Sequence, residues 1–184
     1  YSTNAVSSLA ACLRDEGYTT AFFHGAPNGS MGFQAYARSA GFEAYYGMEE
    51  YDGIEAFDGT WAIWDEEFLQ YYARTMNTLE EPFMTAVFTA SSHHPFRVPK
   101  RYEGVFPMGN MPIHQCVGYT DHALREFFKY AQQQEWYDNT LFVLTADHTN
   151  QVCLPEYATA KGLYEVPIAF YSSRWNRGEL RDKE

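Results

Sequence analysis

Three short apolar runs, each rich in β-branched or aromatic residues and each leading to histidine, constrain this chain most. Thr19-Thr20-Ala21-Phe22-Phe23 runs into His24. Residues 83–89 are followed within a few positions by His93-His94, and residues 141–146 run into Asp147-His148. Each run is too short for a helix and lies beside stretches of helical periodicity: residues 4–16, 31–39, 65–78 and 113–134. Strands that are apolar on both faces and alternate with helices form mostly parallel α/β sheets. In such sheets ligands bind just beyond the carboxyl ends of the strands. The pattern therefore predicts His24, His93, His94, Asp147 and His148 along one sheet edge.

Imidazole and carboxylate are ligands of divalent transition metals. Asp147-His148 is the sharpest candidate, because a strand that is ending lets two successive side chains turn toward one ion. A capping aspartate beside a surface histidine is the plainer account. His93 and His94 precede Pro95, which favours an extended backbone before it. Successive side chains would then point opposite ways, and one of the two would face a ligand as donor or general acid. Packing of the pair by Pro95 and Phe96 explains them equally well. His24-Gly25 with Asn28-Gly29-Ser30 forms either an anion-cradling turn or an ordinary strand-to-helix turn. No Gly-Lys-Ser/Thr follows, so it is not a P-loop. Asp121, within the helix at 113–134, reads as a partner for buried donors or a neighbouring histidine. His114 has no evident partner. Trp61, Trp64, Asp65 and Glu66 fit a substrate cleft or plain core packing and capping.

The remaining signals bound the chain. Residues 42–60 read as irregular, 91–112 as a long proline-marked connection, and 166–171 as a fourth strand. Val117, Leu124, Phe127, Phe128 and Ala131 supply the apolar stripe of the helix at 113–134, and Gly17 reads as a C-terminal helix cap. With no internal repeat or linker, residues 1–184 read as one domain. A net charge of −11 speaks against nucleic acid, whose binding is led by Lys and Arg. It also means that an anionic substrate needs positive charge from a metal. The 15 Tyr, 14 Phe and 4 Trp indicate a thick aromatic core or an aromatic cleft for glycans. Cys12, Cys116 and Cys153 give no disulfide framework, and the first and second fall where a buried thiol is the default. No apolar run reaches the ~18 residues of a membrane span.

Taken in order, Phe23-His24-Gly25, Trp64-Asp65-Glu66, Ser92-His93-His94-Pro95-Phe96, Tyr119-Thr120-Asp121 and Asn139-Thr140-Leu141 through Asp147-His148 resemble the lipoteichoic acid synthase-like branch of the sulfatase family, in the alkaline phosphatase superfamily. The resemblance covers about residues 2–173. It implies a three-layer α/β/α sandwich with a mostly parallel sheet, and a metal-dependent enzyme that hydrolyses or transfers a phosphate or sulfate ester, lipid- or glycan-linked. It implies Asp147 and His148 as metal ligands, with Mn, Zn, Mg and Ca all open. It implies His93, with His94 in the variable position, as the contact to the anionic ester; His24 and Asn28, from the candidate anion-cradling turn, complete the expected substrate-binding set. A bacterial parent with N-terminal transmembrane helices and an extracytoplasmic or periplasmic catalytic part follows from the same resemblance.

The chain departs from that family in one decisive respect. The strand carrying an acidic ligand and the helix carrying the nucleophile are expected before residue 1, and neither Thr3 nor Thr20 has the setting of a nucleophile. Ser30-Met31-Gly32-Phe33 also stands where a Trp-Asn-Arg segment is expected, which argues against glycerol-phosphate transfer as the specific reaction. The expectation is a truncated catalytic domain, inactive alone. A non-catalytic glycan- or protein-binding module is the reading from a different class.

Overall fold

The computed structural model describes residues 6–51, 53–149 and 151–175. Thr3 lies outside them. The chain divides into two compact units, Tyr1–Phe128 and Lys129–Glu184.

In the first unit, α1 (Leu9–Asp15) leads into β1 (Thr19–His24). Ser8 caps α1 by accepting the Ala11 N–H at 3.0 Å, which satisfies one of the orphan donors at a helix start. Gly17 follows the helix with φ +87°, as its capping position requires. The buried face of α1 is centred on Ala10, and Leu9 is exposed. Cys12 is exposed too, against the expectation of a buried thiol, because it lies on the face opposite the sheet. Gly41, at φ +90°, sits so close to α1 that a Cβ there would meet Ala11 Cα at 2.7 Å.

After α2 (Phe33–Ser39) comes β2 (Ala44–Tyr46), a three-residue strand inside the segment that reads as irregular. Then follow α3 (Asp65–Met76), β3 (Phe83–Phe88) and α4 (Ile113–Ala131). The sheet order is β2-β1-β3, all parallel, so all three carboxyl ends share one edge. The central strand β1 is the most buried, with Thr20, Ala21 and Phe23 fully enclosed. Thr20 is no candidate nucleophile: its hydroxyl donates to the Gly41 carbonyl at 3.1 Å and also meets Glu43.

Side chains alternate across β1, and the aromatic content follows that alternation. Phe22 packs with Phe33 of α2, Phe42 and Tyr45. Phe23 packs on the opposite face with Tyr46, Tyr71 and Tyr72. Helices therefore cover both faces of this sheet. Behind α3, Tyr72 stacks on Phe127 of α4 at 5.5 Å. The buried stripe of α4 runs through Cys116, Tyr119, Ala123 and Phe127, at helical spacing. Val117, expected in it, is exposed.

In the second unit, β4 (Phe142–Thr145) pairs antiparallel with β5 (Ile168–Tyr171). The sequence pattern predicts β4 as another parallel strand of the β1–β3 sheet, but its partner is β5 in a separate two-stranded sheet. Within this unit Phe142 and Tyr171 pack with Tyr137, and the Tyr137 and Tyr171 hydroxyls lie 2.8 Å apart. The other face carries Val143, Ile168 and Phe170, which are 50%, 59% and 55% exposed.

Candidate functional site

The carboxyl edge of the β2-β1-β3 sheet is organised by two aspartates that bind backbone. Asp65 opens α3 and is 2% exposed. Its Oδ1 accepts the N–H groups of Ala90 at 2.9 Å and Ser91 at 3.1 Å, and its Oδ2 accepts the Thr120 hydroxyl at 3.0 Å. In return the Asp65 N–H donates to Ser91 Oγ at 3.0 Å, and the Glu66 N–H donates to the Tyr119 phenol oxygen at 3.1 Å. Trp64, at the cap position, supplies no side-chain bond to α3. The orphan donors at this helix start are thus met by residues distant in sequence. Burial holds the Asp65 carboxyl above its ordinary range, while the hydrogen bonds from Ala90, Ser91 and Thr120 oppose that shift.

Asp58 does the same for the loop before α3. Its Oδ1 accepts the N–H groups of Thr60, Trp61 and Ala62 at 2.6, 2.7 and 3.3 Å. A single bridge between Phe57 and Ile63 closes that loop. The Ile63 N–H donates to the Gly25 carbonyl at 2.9 Å, which ties the loop to the end of β1.

Residues 90–96 run through turns rather than the extended path that Pro95 suggests: His93 N–H donates to Ala90 O, and Phe96 N–H to His93 O. The histidine rings still part company. His93 lies against Trp61, with centroids 4.5 Å apart at 63°, and its Nδ1 is 3.0 Å from the His94 carbonyl oxygen. The His94 ring packs against Phe96. Both histidines are exposed. A depression beside them is lined by Asp58, Thr60, Trp64, Ser91, His93 and Arg97.

His24 is enclosed. It is 5% exposed, its ring touches Phe33 and Phe88, and its Nδ1–H donates to the Phe88 carbonyl at 2.9 Å. Burial lowers its pKa, opposed by the Phe88 hydrogen bond and the Asp65 charge, so the ring is neutral near pH 7. Only Nε2 remains for another partner. Asn28 is half-buried and already engaged by two glutamates. Its amide donates to the Glu50 carboxylate at 2.9 Å, its N–H donates to Glu49 at 2.7 Å, and its Oδ1 is buried against Gly47.

In the second unit, Asp147 and His148 lie just past β4. The His148 N–H donates to Asp147 Oδ1 at 2.8 Å, and His148 Nε2 is 3.5 Å from Asp147 Oδ2. Both side chains are about half exposed. An imidazole nitrogen and a carboxylate oxygen this close can serve one cation as neighbouring ligands. Among the described residues they are not joined by a third His, Cys, Asp or Glu in a ligating group. The pair therefore fits part of a metal site.

The structure brings His24, His93 and His94 to one sheet edge. Among the described residues β4 is paired with β5 and is not a strand of that sheet. Other expectations are corrected. Asp121 is exposed and pairs with Arg125 at 3.0 Å, while its neighbour Thr120 meets the buried carboxylate. His122 Nε2 is 2.9 Å from the Tyr102 hydroxyl. His114 Nδ1 accepts the Asn110 N–H at 3.0 Å at the start of α4. The three cysteines are free. The aromatic rings largely pack on one another inside the first unit, which favours a core over a glycan cleft. Asp58 and Trp61 as organisers were not foreseen, although Asp58-Gly59 is a recognisable turn signal.

The family model described as Sulfatase matches residues 1–183. Lipoteichoic acid synthase 2 of Bacillus subtilis (strain 168) is 25% identical over 151 residues, 79% of this chain and 23% of that protein. A solved alkaline phosphatase superfamily protein from Vibrio parahaemolyticus superposes with a TM-score of 0.79 at 24% identity, covering 93% of this chain and 42% of the other. The lipoteichoic acid synthase LtaP of Listeria monocytogenes gives a TM-score of 0.78 at 21% identity, covering 98% of this chain and 50% of the other. The two structural likenesses show that the chain has the α/β fold of those solved proteins. The chain spans less than a quarter of the curated relative and no more than half of either solved chain.

Proposed function

This chain belongs to the sulfatase family, and from that premise we propose that it is part of a metal-dependent enzyme that hydrolyses or transfers a phosphate or sulfate ester. The observation that carries the reading is the Asp147–His148 pair, with Nε2 and Oδ2 3.5 Å apart at the end of a strand. In this proposal the two residues hold one divalent cation, of which Mn, Zn, Mg and Ca are candidates. Such a cation, when bound, neutralises charge on the ester and lowers the pKa of the attacking group.

His93 is proposed as the principal contact to the anionic ester, because its ring is exposed beside a depression that Arg97 also lines. A cationic guanidinium and an imidazole donor suit the non-bridging oxygens of phosphate or sulfate. His94, exposed beside it, is the second candidate donor. His24 would contribute through Nε2 alone. Asn28 would act by holding the Gly25–Ser30 turn, since its amide is already bonded to Glu50. The substrate is taken to be lipid- or glycan-linked and the setting extracytoplasmic, by relation to the lipoteichoic acid synthases. No helix among the described residues is long and apolar enough to cross a membrane, so any anchor belongs to other parts of the parent protein. Because no third ligating side chain joins Asp147 and His148 among the described residues, the isolated chain is expected to turn over no ester.

The test is anomalous diffraction from crystals soaked in manganese or zinc, paired with calorimetric titration of the chain and its Asp147→Ala and His148→Ala variants. A peak within ligand distance of both side chains, and weaker binding in each variant, is the expected result. Binding that both variants leave unchanged would overturn the assignment. In the full-length parent, nitrophenyl phosphodiester and nitrophenyl sulfate separate the two ester classes.

A further inference from the structure

We propose that Trp61 is a positioning residue for His93, fixing which imidazole nitrogen faces the ligand. The inference deepens the proposed role of His93 and rests on that reading for its functional meaning.

The Trp61 Nε1–H donates to the His94 carbonyl oxygen at 2.6 Å, and His93 Nδ1 lies 3.0 Å from the same oxygen. A carbonyl oxygen has two lone pairs and only accepts. It can take both donors at once, and the second must be an Nδ1–H. Neutral His93 is therefore the Nδ1–H tautomer, the reverse of the form that free imidazole side chains favour in water. The lone pair is left on Nε2, for which no protein partner exists among the described residues. The indole also lies edge-on to the imidazole, at 4.5 Å and 63°, which restricts rotation of the ring.

Trp61 can impose this arrangement because it is itself held. Asp58 binds the N–H groups of residues 60–62, and the Phe57–Ile63 bridge closes the loop beneath them. The other end of the histidine segment is fastened separately, by the Asp65 carboxylate on the Ala90 and Ser91 N–H groups. Which nitrogen of a histidine acts is set by the bond the other one makes. With Nδ1 engaged, Nε2 is the nitrogen that faces the ester: it donates an N–H to a non-bridging oxygen when His93 is protonated, and in the neutral ring it offers only a lone pair, suited to taking a proton.

Nitrogen NMR of the 15N-histidine chain, above the imidazole titration range, tests this directly, with His93→Gln assigning the signal. The expected result is a protonated, pyrrole-like Nδ1 and a pyridine-like Nε2. Trp61→Phe keeps a ring but loses the N–H that anchors the His94 carbonyl; with that acceptor released from its place against Nδ1, His93 should move toward the Nε2–H tautomer while its ring protons stay shifted by the neighbouring aromatic. Trp61→Leu should change both signals. An amide spectrum otherwise superimposable on the parent's reports an intact fold. A wild-type His93 protonated at Nε2, or a Trp61→Phe variant still protonated at Nδ1, overturns the assignment. Titration with inorganic sulfate at a pH where the imidazole carries both protons separately addresses the ester-contact role. An Nε2 signal that sulfate leaves unmoved, with the Nδ1–H tautomer present, removes that role and leaves the positioning by Trp61 in place.

Discussion

Replacing Asp65 by alanine should cost the first unit about 3–4 kcal/mol. The change removes the acceptor for three donors: Ala90 N–H, Ser91 N–H and the Thr120 hydroxyl. Each donor left buried and unsatisfied costs roughly 1–3 kcal/mol. Entry of water, and relief of a desolvated carboxylate, hold the total near the low end of that sum. For a chain of this size the loss corresponds to a fall in Tm of about 6–16 °C. Asp65→Asn retains an acceptor for the two backbone donors and disturbs only the Thr120 contact, so about 1 kcal/mol is expected. Urea titration measures the totals, and amide exchange at Ala90 and Ser91 localises them. The sign with pH follows from burial. The folded carboxyl sits above its ordinary value, so folding favours the protonated form. This group's contribution is full below about pH 3.9, the usual aspartate value, and is lost as pH rises through the raised folded value. Asp65→Asn should remove that slope. An alanine variant within about 1 kcal/mol of wild type, or an asparagine variant equally damaged, would refute the account of Asp65 as the clamp on this loop.

Three further outcomes are expected. His24 is depressed by burial, so its contribution is full above about pH 6.5 and is lost as pH falls through the folded value. His24→Asn, which keeps a donor toward Phe88, should flatten that acid limb in urea titrations repeated across pH. Gly41→Ala should lose about 2–4 kcal/mol by calorimetry, since the new Cβ meets backbone at 2.7 Å with φ at +90°. Arg101→Met, which removes ion pairs to Glu66 at 2.7 Å and Glu67 at 2.5 Å, should cost only about 0.5 kcal/mol, because the guanidinium is half exposed and screened.

How much was legible in the sequence depended on distance along the chain. The positions of β1, β3, α3 and α4 followed from periodicity over six or more residues. Ala44-Tyr45-Tyr46 is too short to show any period, and β2 exists because it is register-paired with Ala21, Phe22 and Phe23. For β4 the apolar run was visible but its partner was not, since pairing with residues 168–171 is non-local and nothing in the run itself specifies direction. The site shows the same division. His93 and the Asp147-His148 pair stood out as residue types beside strand ends. Asp65 looked like a helix-capping acid because its partners, Ser91 and Thr120, are 26 and 55 residues away. For His24 and Asn28 the hydrogen bonds that engage them, to Phe88 and to Glu50, leave no local trace in the sequence.

The two organising carboxylates of the histidine loop have partners of an unusual kind. Asp58 and Asp65 are answered by peptide N–H groups and a hydroxyl, with no lysine or arginine among the bonds that hold them. Dissolved ions screen charge–charge attraction over a Debye length of about 3 Å at 1 M, but they act far less on short hydrogen bonds between a carboxylate and neutral peptide groups. The neighbouring segment at residues 100–102 is fastened differently, through Arg101 to two glutamates. Brine and fresh water should therefore find the same loop around His93, while the arginine-held segment beside it loosens as the medium grows more saline.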